Sequence, residues 1–279
     1  MYLPDEILGA KVLITVKTYP QPSNKYDELV CTAGFFEGKW VRLYPVPFRA
    51  LPYQDQYSKY HWVTVDLIRN HSDFRVESYK PKHGVDGIYV GEKIDTKKAW
   101  SERKAYVLNE VFTSMNELVE LAHNEKRSLG VLKPSRIIKF VVERQEREWK
   151  KEWRDQLRQY NLFDLDENGE GKVRKVISKL PYKYSYVFFA EGDKTPRKLM
   201  IEDWEIGRLY WNCLTQCGGN EDEANRLVEQ KYFEEFCSKK DLYFFMGTTK
   251  AHHFNDHPFI IVGVFYPPKL PVEQLPLFS

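Results

Sequence analysis

Between residues 12 and 69 the chain carries four short runs rich in β-branched and aromatic side chains. Each is stopped by proline, glycine or a polar cluster before it reaches helical length, and this spacing limits the fold more than any other feature. Val12 to Val16 reads as a buried strand, and residues 18–25 as a polar, proline-containing loop. A strand from about Leu29 to Phe36 then turns at Glu37 and Gly38 into Trp40 to Tyr44. That hairpin places Val41 and Leu43 on one face and Arg42 and Tyr44 on the other. Pro45 and Pro47 end it, and residues 61–69 alternate as a further strand. Strands this short and closely spaced close most readily into a small barrel or a strongly twisted sheet.

The remainder mixes helix and strand. Residues 80–97 read as a lysine-rich connector. A capping box of Ser114 and Glu117 starts a helix through Leu118, Val119, Leu121 and Ala122. Residues 136–143 read as a strand, and a basic helix is expected from Glu146 to Tyr160. Residues 164–171 resemble the opening of an EF-hand loop, but Lys175 stands where the closing glutamate is required, so they read as an acidic turn and a module boundary. Strands at 184–189 and 197–201 precede a helix capped by Asp203. A second helix spans Glu221 to Lys239, and strands at 242–246 and 259–266 close the unit. The expected class is α+β: an N-terminal β-rich small barrel or twisted sheet, central helices and a C-terminal mixed α+β unit. The module limits are 1–95, 96–165, 172–266 and a Pro-rich tail at 267–279.

At 279 residues there is ample chain for a core, as one large domain or two packed ones. No apolar run approaches the roughly 20 residues that span a bilayer, and Met1 to Glu6 has neither a basic start nor an apolar stretch, so no membrane partner and a cytoplasmic location are expected. The net charge of +2 leaves an anionic partner open, because the charges are segregated: residues 172–183 carry basic groups only, while acids gather at 164–170, 202–205 and 221–223. None of Cys31, Cys213, Cys217 and Cys237 sits in a C-x-x-C pair. They read as free thiols, a zinc site with His252 or His253 being the alternative.

Three clusters could carry chemistry. Residues 247–257 place His252, His253 and Asp256 in one polar loop between strands, where a general base or a ligand could stand. Asp203 and Glu205, beside Glu202, cap a helix or serve as catalytic carboxylates. Lys17, Tyr19, Lys25, Tyr26, Arg42, Tyr44 and Arg49, followed by Tyr53, Tyr57, Lys59 and Tyr60, interleave basic and aromatic groups on the N-terminal module, the composition of a platform that stacks bases and anchors phosphates. P-loop, dinucleotide-fingerprint, H-E-x-x-H and zinc-deaminase signatures are absent from the sequence.

Residues Gln274, Leu275, Pro276, Leu277 and Phe278 form a string, Q-L-P-L-F, that resembles the peptide with which bacterial polymerases and repair proteins hold the sliding clamp. The leucines and Phe278 would anchor in an apolar groove, Gln274 would supply its amide, and Pro276 would hold the peptide extended. The resemblance implies a bacterial or phage-associated host, and DNA and the sliding clamp as partners. It points to a DNA-processing or DNA-surveillance protein of repair or phage-defence type, leaning to an enzyme such as a modified-base glycosylase or a nuclease. No cofactor is implied, apart from a divalent cation for a nuclease. The alternatives are a non-catalytic DNA-binding adaptor, or a nucleotide or small-molecule enzyme whose tail matches by accident.

Overall fold

The computed structural model describes residues 3–23, 27–46, 48, 51, 56–152 and 177–269. The N-terminal runs form the strands expected of them: β1 (Glu6–Lys17), β2 (Gln21–Ser23), β3 (Asp27–Phe36), β4 (Lys39–Val46) and β5 (His61–Arg69). The turn between β3 and β4 has positive φ at both Glu37 (49°) and Gly38 (74°), the geometry whose twist matches a two-residue hairpin. Two further strands, β6 (Ser78–Pro81) and β7 (Ile88–Lys93), lie largely inside the segment expected to be a connector.

Pairing runs β1–β3–β4–β6–β5 and returns from β5 to β1, so five strands close on themselves, with β7 paired to β5 beyond the ring. All contacts around the ring are antiparallel except β4 with β6. This is a closed five-stranded barrel with Greek-key strand order. β1 pairs with β5 over Glu6 to Leu13 and with β3 over Leu13 to Lys17, and its register with β5 shifts between Ile7 and Ala10, where Gly9 takes φ +60°. Val12, Ile14, Val41, Leu43, Val63 and Val65 fill the barrel.

After the barrel come α1 (Lys97–Val107), α2 (Met115–Glu125) and β8 (Leu129–Leu132). The first opens on three left-handed residues, Lys98, Ala99 and Trp100. The second begins where expected, but the Ser114 side chain makes no capping hydrogen bond, so the capping box is not formed. Two three-stranded sheets complete the chain. One joins β9 (Arg136–Arg144), β10 (Tyr182–Phe189) and β11 (Arg197–Met200). The other joins β8, β12 (Tyr243–Thr248) and β13 (Phe259–Phe265). Between them run α3 (Trp204–Gln216) and α4 (Glu221–Glu229), the latter continuing through a π-helical turn (Gln230–Glu235) into α5 (Phe236–Lys239). The α+β expectation therefore holds. Most of the basic helix, the acidic turn and the clamp-like peptide lie outside the described residues. No described helix is long and apolar enough to cross a membrane.

The outer face of β1, β3 and β4 is apolar rather than solvated. Leu13, Val16, Ala33, Phe35 and Trp40 pack against Leu129, Val131, Phe245, Val262 and Phe265 of the β8–β12–β13 sheet, with Trp40 and Phe245 edge to face at 5.9 Å. A second clasp holds barrel to helix. Tyr19 donates to the Ser178 carbonyl at 2.7 Å and accepts from Trp211 Nε1 at 2.9 Å, while its ring lies on Gly207 of α3. A methyl on Gly207 would stand 2.3 Å from Tyr19 Cδ2. Gly207→Ala should therefore destabilise the chain by about 1–3 kcal/mol, read as a thermal midpoint lower by roughly 3–10 °C. An unchanged midpoint would show that the clasp yields freely.

Candidate functional site

The basic and aromatic residues expected to face nucleic acid are turned inward where they are described. Arg42 is buried, its guanidinium donating to Cys31 Sγ at 2.8 Å and Ser128 Oγ at 3.1 Å. Below it Glu77, also buried, accepts from Ser128 N at 2.7 Å, Ser128 Oγ at 3.1 Å and Leu129 N at 3.3 Å, and burial raises its carboxyl above the usual range. Tyr44 is half-buried before the cis Pro45. Lys25, Tyr26 and Arg49 lie outside the described residues. The outer barrel face of β1, β3 and β4, where the platform was expected, is thus covered by the chain's own second sheet.

Lys17 takes part in something different. From the end of β1 it meets Lys59, which precedes β5, and the start of α3, where the barrel adjoins the C-terminal unit. Lys59 Nζ donates to Asp203 Oδ2 at 2.7 Å and to Glu205 Oε2 at 3.2 Å. Asp203 is fully buried and gives its other oxygen to Glu205 N at 3.1 Å, the N-cap bond expected from the sequence. Glu205, by contrast, has a side chain 42% exposed. Gly263 of β13 makes room for the pair: a methyl there would lie 3.3 Å from Lys59 Nζ and 3.7 Å from Asp203 Oδ2.

Lys17 has no carboxylate in hydrogen-bond reach among the described residues. Its Nζ donates to the Tyr57 carbonyl at 3.1 Å and lies 3.9 Å from the ring centre of Phe48 and 4.4 Å from that of Trp204. Burial, and then repulsion by Lys59, lower its pKa to about 7. Burial lifts Asp203 to about 6 against the pull of Lys59. Lys59 itself stays charged, because the two carboxylates outweigh the desolvation that opposes them. Arg103 closes the far side, 4.0 Å from the Tyr60 ring centre and 4.9 Å from that of Trp100.

The histidine loop is elsewhere. Thr248, at its start, pairs with Phe259, whereas the Lys59–Asp203 pair lies beside Gly263, four residues and roughly 13 Å along β13. His253 is buried, accepts from Thr248 Oγ1 at 2.7 Å through Nδ1 and donates from Nε2 to the Ala122 carbonyl at 2.8 Å. Both ring nitrogens are therefore occupied in ties between the loop and α2, and burial lowers its pKa. His252 and Asp256 are exposed. The four cysteines are free thiols, and among the described residues no three or more His, Cys, Asp or Glu side chains are grouped to hold a metal ion.

Of the residues expected to carry function, then, the structure assembles Lys17, Asp203 and Glu205 and separates them from His252, His253 and Asp256. Sequence reasoning placed Lys59, with Tyr53, Tyr57 and Tyr60, in the basic and aromatic platform and missed its ion pair with Asp203. A lysine among Tyr57, Tyr60 and Ser58 carries no local signal of an ion pair 144 positions away. A family model described as "Domain of unknown function (DUF8757)" matches residues 111–279, and one described as "Domain of unknown function (DUF8758)" matches residues 9–109. No curated protein matches the chain.

Proposed function

The chain belongs to the DUF8757 family, and we propose that it is a cytoplasmic protein that processes or surveys DNA at the sliding clamp, with the Lys17–Lys59–Asp203–Glu205 cluster as its reactive centre. The observation that carries the reading is the division of labour in that cluster. Asp203 spends both oxygens on Lys59 and on its own helix, which leaves Glu205 as the carboxylate open to solvent, held in place by the same ammonium. Base excision needs one such group, to orient water or to steady positive charge on the sugar as the glycosidic bond opens. Strand cleavage needs several oxygens around a cation, so the geometry favours excision. In this reading Asp203 and Lys59 position Glu205, and Trp204 supplies an aromatic face beside it. The Q-L-P-L-F peptide supplies recruitment, raising the local concentration of a weakly binding enzyme.

A non-catalytic adaptor is the second reading. It is favoured by the covered barrel face and by the structural ties of His253 and Asp203.

Two measurements test these readings. Full-length protein and a chain lacking Gln274 to Ser279 are compared for binding to a bacterial sliding clamp. Glu205→Gln and the unaltered protein are compared for base release from duplexes carrying a panel of modified bases. Clamp binding by the full-length chain alone, with base release lost in Glu205→Gln at unchanged thermal midpoint, sustains the enzyme. Clamp binding without release from any duplex points to the adaptor, and failure of both chains to bind removes the clamp from the account.

A further inference from the structure

We propose that the cavity between the β10–β11 turn and the start of α2 is a binding site for a phosphorylated nucleoside. The cavity measures about 530 Å³, within the range of small-ligand sites, and lies apart from the Lys59–Asp203 pair. Its lining has two characters. Part of it is cationic: Lys194 is exposed at the turn and Lys198 follows on β11, with His257 in the lining from the segment before β13. Another part is apolar, a wall of the exposed Pro196 and the half-buried Val119 and Leu199.

The charge of the cationic part is not cancelled from within. Asp193 is the one acid in the lining, and Arg197 holds it through Nε at 2.8 Å and Nη2 at 2.6 Å, while its second oxygen also accepts from Ala190 N. Lys198 does have a carboxylate, Glu143 at 2.7 Å, but that acid is shared with Lys183 at 3.7 Å, so one negative charge stands between two positive ones. Such a place suits a dianionic phosphate. Inorganic phosphate would leave the wall of Val119, Pro196 and Leu199 bare. A nucleoside attached to the phosphate would cover that wall with its base, and Asn116, whose Oδ1 already accepts from Arg197, has its amide nitrogen beside it to meet a base edge. The nucleotide could come from the free pool or from the phosphorylated end of a DNA strand.

Calorimetric titration of the full chain tests this with dAMP, dCMP, the unphosphorylated nucleosides, inorganic phosphate, and a short single strand with and without a 5′-phosphate. Mononucleotide should bind at least about tenfold more tightly than either nucleoside or inorganic phosphate. The double variant Lys194→Glu/Lys198→Glu should weaken it by a similar factor. Both lysines are exposed, and losing the surface pair of Lys198 with Glu143 should lower the thermal midpoint by no more than about 3 °C. Stronger binding of the 5′-phosphorylated strand than of dAMP assigns the site to DNA ends, and the reverse order assigns it to free nucleotide. The proposal is overturned if no mononucleotide binds at concentrations on the order of 10 mM, if phosphate alone binds as tightly, or if the double variant binds unchanged. Removal of residues 274–279 should leave this binding intact, so the outcome is separate from that of the clamp experiment.

Discussion

Asp203→Ala is expected to lower the stability of the chain by about 3–5 kcal/mol, the effect of removing one member of a buried ion pair. Two losses combine. Lys59 Nζ, at the bottom of the seam, would keep only Glu205, whose half-exposed carboxylate stands at 3.2 Å instead of 2.7 Å. The first turn of α3 would also lose the oxygen that accepts from Glu205 N, a contribution of about 1 kcal/mol. Asp203→Asn separates the two, because an amide oxygen can still cap the helix but brings no charge to Lys59. It should recover about the capping share and no more. Urea unfolding of the three proteins at pH 7 checks the ordering, with the slope expected to be unchanged and the midpoint to move. If Asp203→Ala unfolds with the unaltered protein and yet abolishes base release, Asp203 is a reacting group and not a positioning one. The division of labour argued above would then be reversed.

How much of this was legible from the residues follows from what each side chain needs. The β3–β4 hairpin was, because Glu37–Gly38 and the alternation of Val41 and Leu43 with Arg42 and Tyr44 are local. So was the cap at Asp203. The strands β6 and β7 were not. They are four and six residues long, and they find their hydrogen bonds against β5 and β4 rather than through their own pattern. The alternation also marked Arg42 correctly as outside the barrel, but outside did not mean solvent. The second sheet lies on that face, and Arg42 is answered by Ser128, 86 positions away. The same limit applies to the histidines: three within six residues look like a reactive loop, whereas His253 is fixed by a carbonyl on α2 that no spacing reveals. Lys17 was placed correctly on the N-terminal module and misread in character, since an amine enclosed by Phe48 and Trp204 depends on residues from two halves of the chain.

That amine gives the second large expectation. Lys17→Met should be more stable than the unaltered protein at pH 6, by roughly 3–5 kcal/mol, and the two should converge as pH approaches 10.5. The sign comes from the direction of the shift. Burial, and then Lys59, bring the folded pKa down from 10.5 to about 7. Between those values the unfolded chain holds a proton at this position that the folded chain has released, so stability rises with pH across that window. Below pH 7 both states are protonated, and the folded one carries the full penalty of a buried ammonium, offset in part by the two rings beneath it. Methionine fills a similar volume without a proton to bind and removes the slope. Asp203, which interacts with Lys17, titrates near pH 6, so the change in the difference between unfolding midpoints from pH 7.5 through 9 to 10 isolates the term, and parallel curves would show that Lys17 titrates as an ordinary lysine. A chain gains nothing in folding from an amine held this way. With the folded pKa brought down to about 7, part of Lys17 is uncharged near neutral pH, and under the proposed function that amine would act beside a carboxylate held by a second lysine. Such an arrangement is better suited to taking a proton or attacking a carbon than to stabilising a seam.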